Sequence, residues 1–179
     1  MGVQIGISGA DEDCNLTIGG RRTGWKDPKA IKTQNEIACV ERFLSSTGVE
    51  FKRVIEQPQY SVVDALAELN DGSLRKFQVT SIWSPDFLKP FGATGAVDRQ
   101  IGWERFRQFI IKAIEKKNEA YRGARLGDVV LLLDTHPAQI DRRCLTKLGS
   151  EPSLRGLAGD DPTFAEIWLA DPNGSIRII

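Results

Sequence analysis

The chain has 179 residues, 41% of them hydrophobic, with basic and acidic side chains balanced at 24 each. At that length one domain buries roughly 70% of its unfolded surface, so neither a disulfide framework nor a structural metal is required. Zero net charge removes any global polyanion signal, leaving a local basic face as the only electrostatic route to nucleic acid. Cys14, Cys39 and Cys144 are odd in number and widely spaced, and His136 is the only histidine. Neither zinc spacing nor a Cys–His nucleophile pair is present, and reduced thiols in a cytoplasmic protein are expected. The start Met1-Gly2-Val3-Gln4-Ile5-Gly6 has no basic leader, and Gly6 stands where a myristoylation motif wants Ser or Thr. No window approaches the roughly 18 apolar residues of a membrane span, so no membrane partner is expected.

Residues 1–27 are rich in glycine and polar groups, with short alternating pieces at Val3–Ile7 and Asn15–Ile18. They read as an N-terminal arm or hairpin ahead of a single domain over 28–179. Asp27-Pro28 opens a helix, with the acid as N-cap and proline at the first helical position. Ile37, Val40, Phe43 and Leu44 carry its apolar period, and Gly48 stops it. Three strands follow, over Val49–Glu56, Tyr60–Leu69 and Ser73–Trp83, the last two joined at Asn70-Asp71-Gly72. Ser84–Ala96 holds two prolines and two glycines and reads as a long loop. A second helix is predicted from about Val97 to Arg122. Asp128–Asp134, with Val-Val-Leu-Leu-Leu inside, reads as a strand buried on both faces. Pro137–Leu148 reads as a short helix, and Glu166–Ala170 with Ser175–Ile179 frames a closing hairpin at Asp171-Pro172-Asn173-Gly174. The sum is an α/β fold, a mixed central β-sheet flanked by helices.

The hairpin carries the chemistry. A three-residue loop at Asn70-Asp71-Gly72 pairs Leu69 with Ser73, which sets Asp64 opposite Gln78 and Val62 opposite Thr80. Alternation then gathers Val63, Ala65, Ala67, Leu69, Phe77, Val79 and Trp83 on one apolar face. The other face carries Val62, Asp64, Leu66, Gln78, Thr80 and Ile82. Opposed side chains have Cβ atoms about 5 Å apart, close enough for two oxygens to grip one Mg²⁺ at roughly 2.1 Å. A two-residue Asp71-Gly72 turn would slip the register by one and send Gln78 to the wrong face.

Tyr60-Ser61-Val62-Val63-Asp64, a strand and turn, then Phe77-Gln78-Val79-Thr80, resembles the core of the PD-(D/E)xK, or restriction-endonuclease-like, nucleases. In that family a strand Asp, a hairpin and a Glu-x-Lys or Gln-x-Lys tripeptide follow a helix bearing a Glu. Here Glu36 precedes the hairpin on a helix, a long helix follows it, and Val129–Asp134 supplies the next strand. The resemblance covers about residues 28 to 135 and implies an α-β-β-β-α-β core. It implies that Asp64 and Gln78, with Glu36, hold Mg²⁺ (or Mn²⁺). Glu36 lies within about 50° of the centre of its helix's apolar stripe, Glu41 about 90° away, so Glu36 is the better match.

Thr80 is the departure, because it stands where the family has its lysine. The residue best placed to supply that charge is Lys117, at the centre of the stripe formed by Phe106, Ile110, Ala113, Ile114 and Tyr121. Its spacing to Tyr121 also resembles a helix motif that some members place beside the active site. The implied activity is metal-dependent hydrolysis of phosphodiester bonds in DNA or RNA, with Glu36, Asp64, Gln78 and Lys117 as catalytic residues. Arg21, Arg22, Lys26, Lys29 and Lys32 form one basic set for nucleic acid, and Arg99, Arg105 and Arg107 form another. Trp25, Trp83 and Trp103 are stacking candidates, with Trp83 also suited to the core. Thr80 and Gln78 equally suit a catalytically inactive module of the same fold that binds nucleic acid or protein, for instance in a bacterial or phage conflict system. A homodimer or another protein partner is left open, and His136 beside Pro137 is a lone loop histidine.

Overall fold

The structure, a computed structural model, describes residues 13–18, 28–58, 61–88, 97–124, 126–151, 154 and 163–179. The element order is β1 (Asp13–Ile18), α1 (Pro28–Ser46), β2 (Phe51–Glu56), β3 (Ala65–Leu69), β4 (Leu74–Ser81) and α2 (Pro85–Leu88). There follow β5 (Val97–Gly102), α3 (Trp103–Ala120), β6 (Leu126–Asp134), β7 (Ala138–Ile140), α4 (Arg142–Gly149), β8 (Phe164–Asp171) and β9 (Gly174–Arg177). A six-stranded mixed sheet runs β2-β3-β4-β6-β8-β9, and a three-stranded sheet runs β5-β1-β7. No helix among the described residues is long and apolar enough to cross a membrane.

The hairpin has the expected register. Leu69 N–H donates to Ser73 O at 2.9 Å, and Ala65 faces Phe77 across β3 and β4. Gly72, at φ 85°, takes the left-handed position that the turn demands. β4 and β6 then pair in parallel, as do β6 and β8, and the crossover between β4 and β6 includes α3. That placement explains the unbroken apolar run in β6, where Val129 to Leu133 are all buried.

The two faces of the sheet pack separately. On one, Cys39, Val40, Phe43 and Leu44 of α1 cover Ala65, Ala67, Phe77 and Val79, with Phe43 edge-on to Phe77. On the other, Phe106, Ile110, Ala113 and Ile114 of α3 join Leu131, Leu133 and Ile82. Val63 and Trp83 belong to this second cluster rather than to the first, where strict alternation had placed them. β3 begins only at Ala65 and β4 ends at Ser81, so the bends outside the strands turn both side chains over.

Other expectations are also corrected. Residues 13–18 are not a loose arm or half of a local hairpin: β1 pairs with β5 and β7, burying Cys14, Leu16 and Ile18 in the α3-side core. Val97–Gly102 is strand, not the first turns of the helix, which starts at Trp103. The span 137–148 divides into β7 and α4, with Asp141 capping α4 by accepting from Cys144 N–H at 3.0 Å. The long loop after β4 contains the short helix α2. Finally, Cys14 and Cys144 form a disulfide, leaving Cys39 as the free, buried thiol. The expectation of three reduced thiols is therefore wrong for two of them, and such a bond persists in oxidising surroundings.

Candidate functional site

The site lies where α1, crossing one face of the sheet, and α3, crossing the other, both reach past the start of β3 and the end of β4. Asp64 sits one residue before β3, held in line by its N–H to Phe77 O at 2.9 Å and by Gln57 N–H on its carbonyl at 3.1 Å. Its Oδ2 accepts from the Gln78 side-chain amide and from Val79 N–H, the latter at 2.8 Å. The pair predicted from the turn therefore meets directly. Gln78 is buried, and its remaining polar atom is satisfied as well, because Tyr121 Oη donates to Gln78 Oε1 at 2.9 Å. An ionised carboxylate accepts only, so the amide NH₂ must face Asp64 and the amide oxygen must face Tyr121. Gln78 thus acts as a bridge between tyrosine and acid, and its oxygen is not available to a cation in this arrangement.

Around this chain of three lies a cavity of about 600 Å³. Glu36 enters from α1 and Lys117 from α3, so every catalytic candidate except the buried Gln78 lines one cleft. Glu36 is bonded to Lys32 at 3.2 Å, one helical turn away. Burial and then the negative charge of Asp64 push the Glu36 carboxyl above its ordinary range, against the pull of Lys32 and Lys117. Burial lowers the Lys117 ammonium, while the charges of Asp64 and Glu36 partly hold it up. At Lys32, burial acts downward but is outweighed by Glu36, so the net shift is upward. Tyr121 is raised by burial and by Asp64. Glu36, Asp64, Lys32 and Lys117 thus share a partly desolvated cleft, in which neighbouring charges alter proton affinity.

The nucleic-acid sets are divided. Arg21, Arg22 and Lys26, with Trp25, lie outside the described residues, as do the side chains of Lys29 and Arg99; the backbone of Arg99 pairs with Leu16. Arg105 is exposed over the rings of Phe87 and Phe109, at 5.7 and 5.9 Å. Twelve residues separate it from Lys117 on α3, roughly 18 Å of helix, so it is not part of the cleft. Arg107 is bonded to Glu104 at 2.8 Å. Among the described members of the two sets, Lys32 alone lines the cleft. Trp83 is a core residue, buried, with its indole N–H on Thr135 O at 2.6 Å, and Trp103 lies beneath Lys147 Nζ at 4.5 Å.

Sequence reasoning passed over Asp134. It closes β6 and lines the cleft, with a side chain only 8% exposed. Its Oδ1 accepts from Arg42 of α1 at 2.9 Å and from His136 N–H at 3.0 Å. An acid ending a run of five apolar residues was the available signal, since the next position along a buried strand rarely reaches water. Burial raises the Asp134 carboxyl, opposed by the His136 N–H and by Arg42. A carboxyl raised on folding contributes stability that is complete at low pH and lost as pH climbs through its native pKa. Removing Arg42 takes away one counterweight. Arg42→Met is therefore expected to cost about 2–3 kcal/mol at neutral pH and less in acid, where protonation of the Asp134 carboxyl removes the unpaired charge. Urea unfolding at neutral and at acid pH measures it; equal costs would mean that Asp134 is not the group left unpaired.

A scan against protein-family models finds no match, and neither the curated proteins nor the solved structures yield one. The site is therefore interpreted from its own chemistry. Among the described residues no three of His, Cys, Asp and Glu come together as a metal-ligand cluster. Asp64 Oδ1 has no hydrogen-bond donor among them, and the cleft offers Glu36 as a second carboxylate. That donor set fits a small hard cation such as Mg²⁺, which commonly takes one or two carboxylates and fills its remaining positions with water and substrate phosphate.

Proposed function

We propose that this chain is a metal-dependent phosphodiesterase of the restriction-endonuclease-like type, acting on nucleic acid, with DNA as the first substrate to try. The observation that carries this is the convergence of Asp64, Glu36 and Lys117 on one cleft, from a strand end and from helices on opposite faces. The order α1, β2-β3-β4, α3, β6, with α2 and β5 inserted before α3 and β4 parallel to β6, supports this reading.

Asp64 and Glu36 would hold the ion, and Gln78 would fix Asp64 from behind rather than ligate. When bound, Mg²⁺ or Mn²⁺ lowers the pKa of an attacking water and neutralises phosphate charge. Lys117, on α3, occupies the cleft in place of the family's strand lysine, and its ammonium would offset charge building on the phosphoryl oxygens. Its burial strengthens that effect, because a partly desolvated cation acts through a lower dielectric. Tyr121 keeps Gln78 in the orientation that presents an N–H to Asp64. The test is incubation of the purified chain with labelled DNA and RNA in Mg²⁺, Mn²⁺ or EDTA. Divalent-dependent strand cleavage is expected. No cleavage in either metal, with DNA binding intact, would instead support the inactive nucleic-acid-binding module, which Thr80 and the engaged oxygen of Gln78 favour.

A further inference from the structure

Two lysines of the cleft differ in what they touch. Among the described residues Lys117 makes no ion pair, and its ammonium lies against the Tyr121 ring, 5.6 Å from the centroid. Lys32 is engaged instead. Its Nζ is bonded to Glu36 Oε1 at 3.2 Å, and Glu36 has no other hydrogen-bond or ion-pair partner among the described residues. A lysine four residues before a glutamate is the weaker order for supporting a helix, so α1 gains little from the pair. The Glu36 side chain is 15% exposed and that of Lys32 is 66% exposed. The acid is therefore held within the cleft, and the base reaches in to it from solvent.

That ammonium occupies ground a metal ion would take. Asp64 Oδ1 has no donor among the described residues, and Glu36 supplies the second carboxylate. The charge of Lys32 acts on Glu36, Tyr121 and Lys117, and Asp64 acts on Lys32 in turn. Lys32 is thus the counter-ion of the same two carboxylates assigned above to the cation. A divalent ion bonded to Glu36 Oε1 at about 2.1 Å would stand no more than roughly 5 Å from the ammonium. Like charges at that spacing repel strongly in a partly desolvated cleft, so the two cannot share Glu36 in this arrangement.

We propose that Lys32 is a tethered stand-in for the metal: its ammonium holds Glu36 in the metal-free chain, and an arriving divalent ion displaces it towards a substrate phosphate. This rests on the phosphodiesterase reading above and adds an order of assembly to it. The stem of Lys32 is exposed, so the side chain turns without repacking the core. Lys117 is a permanent cation of the cleft, whereas Lys32 becomes available only once metal has entered. Metal and nucleic acid therefore bind cooperatively, each raising affinity for the other by the same factor.

The experiment has two arms, both on the full chain at neutral pH and constant ionic strength. The first titrates Mn²⁺ into the protein alone by calorimetry. Lys32→Met keeps a good helix former and removes the competing ammonium, and is expected to bind Mn²⁺ about threefold to fivefold more tightly than the parent. Lys116→Met removes an equal charge from the same cleft without freeing Glu36, and should tighten Mn²⁺ by no more than about twofold. The second arm measures binding of a short fluorescein-labelled thymidine strand in Ca²⁺, which suppresses turnover, and in EDTA. Ca²⁺ should raise the parent's affinity; Lys32→Met should lose about threefold of that gain and Lys32→Arg should retain it. If Lys32→Met binds Mn²⁺ no more tightly than Lys116→Met, or gains as much from Ca²⁺ as the parent, this inference falls alone. If the parent takes up no Mn²⁺, or no strand in Ca²⁺, the phosphodiesterase reading falls and takes the inference with it.

Discussion

Asp64→Asn is expected to lower divalent-dependent cleavage by roughly 10²–10³-fold or more, equivalent to about 3–4 kcal/mol of transition-state stabilisation. The choice of asparagine over alanine follows from what Asp64 does in the fold. Its Oδ2 is the acceptor for both Val79 N–H and the amide of the buried Gln78. Alanine would leave two donors unsatisfied at about 1–3 kcal/mol each, so lost activity could not be separated from lost structure. Asparagine keeps an acceptor oxygen and removes the charge. The expected pattern is an unfolding midpoint close to the parent's, with cleavage nearly gone and weakened Mn²⁺ binding by calorimetry. Asp64→Asn with parental cleavage would remove the acid from the reaction and with it the proposed function.

Loss of the Cys14–Cys144 bond is expected to cost about 3–5 kcal/mol and to lower the melting temperature by roughly 10 °C. The bond joins positions 130 residues apart, with Cα atoms at 5.7 Å, and a long closed loop restricts the unfolded chain strongly. Both sulfurs are buried, where β1 meets α4. Cys144→Ala should melt lower than the parent in oxidising buffer, and the two should converge once the parent is reduced. A parent that melts identically with and without reductant would show that the cross-link contributes nothing. Alkylation followed by mass measurement should find one thiol, Cys39, only after unfolding.

The parts of the fold that were legible in the sequence are those set by local rules. Asn70-Asp71-Gly72 dictated its turn, the turn dictated register, and register brought Asp64 to Gln78. The apolar run in β6 could only be a strand covered on both sides. What failed depended on distant partners or on boundaries. Val97–Ile101 contains no proline or glycine to break a helix, so nothing short of Gly102 separates β5 from α3. β7 has three residues, too few for alternation to register. Val63 and Trp83 were misplaced because alternation was carried past the strand ends. No spacing rule could pair Cys14 with Cys144, because their proximity comes from β1 lying beside β7, just before α4. At the site, the positions of Lys117 and Glu36 came from helical period, whereas the engagement of Gln78 by Tyr121 needed the packing of α3 on the sheet.

The placement of β1 between β5 and β7 also sets an order of events during synthesis. Leu16 emerges from the ribosome well before its neighbours Arg99 and Ile140, which are translated roughly ten seconds after it at ordinary elongation rates. Throughout that interval a strand carrying Cys14, Leu16 and Ile18 has no sheet to join and exposes apolar side chains that end wholly buried. Until β5 and β7 are made the nascent chain therefore carries a sticky segment, and its yield in cells should respond to chaperones that shield such segments.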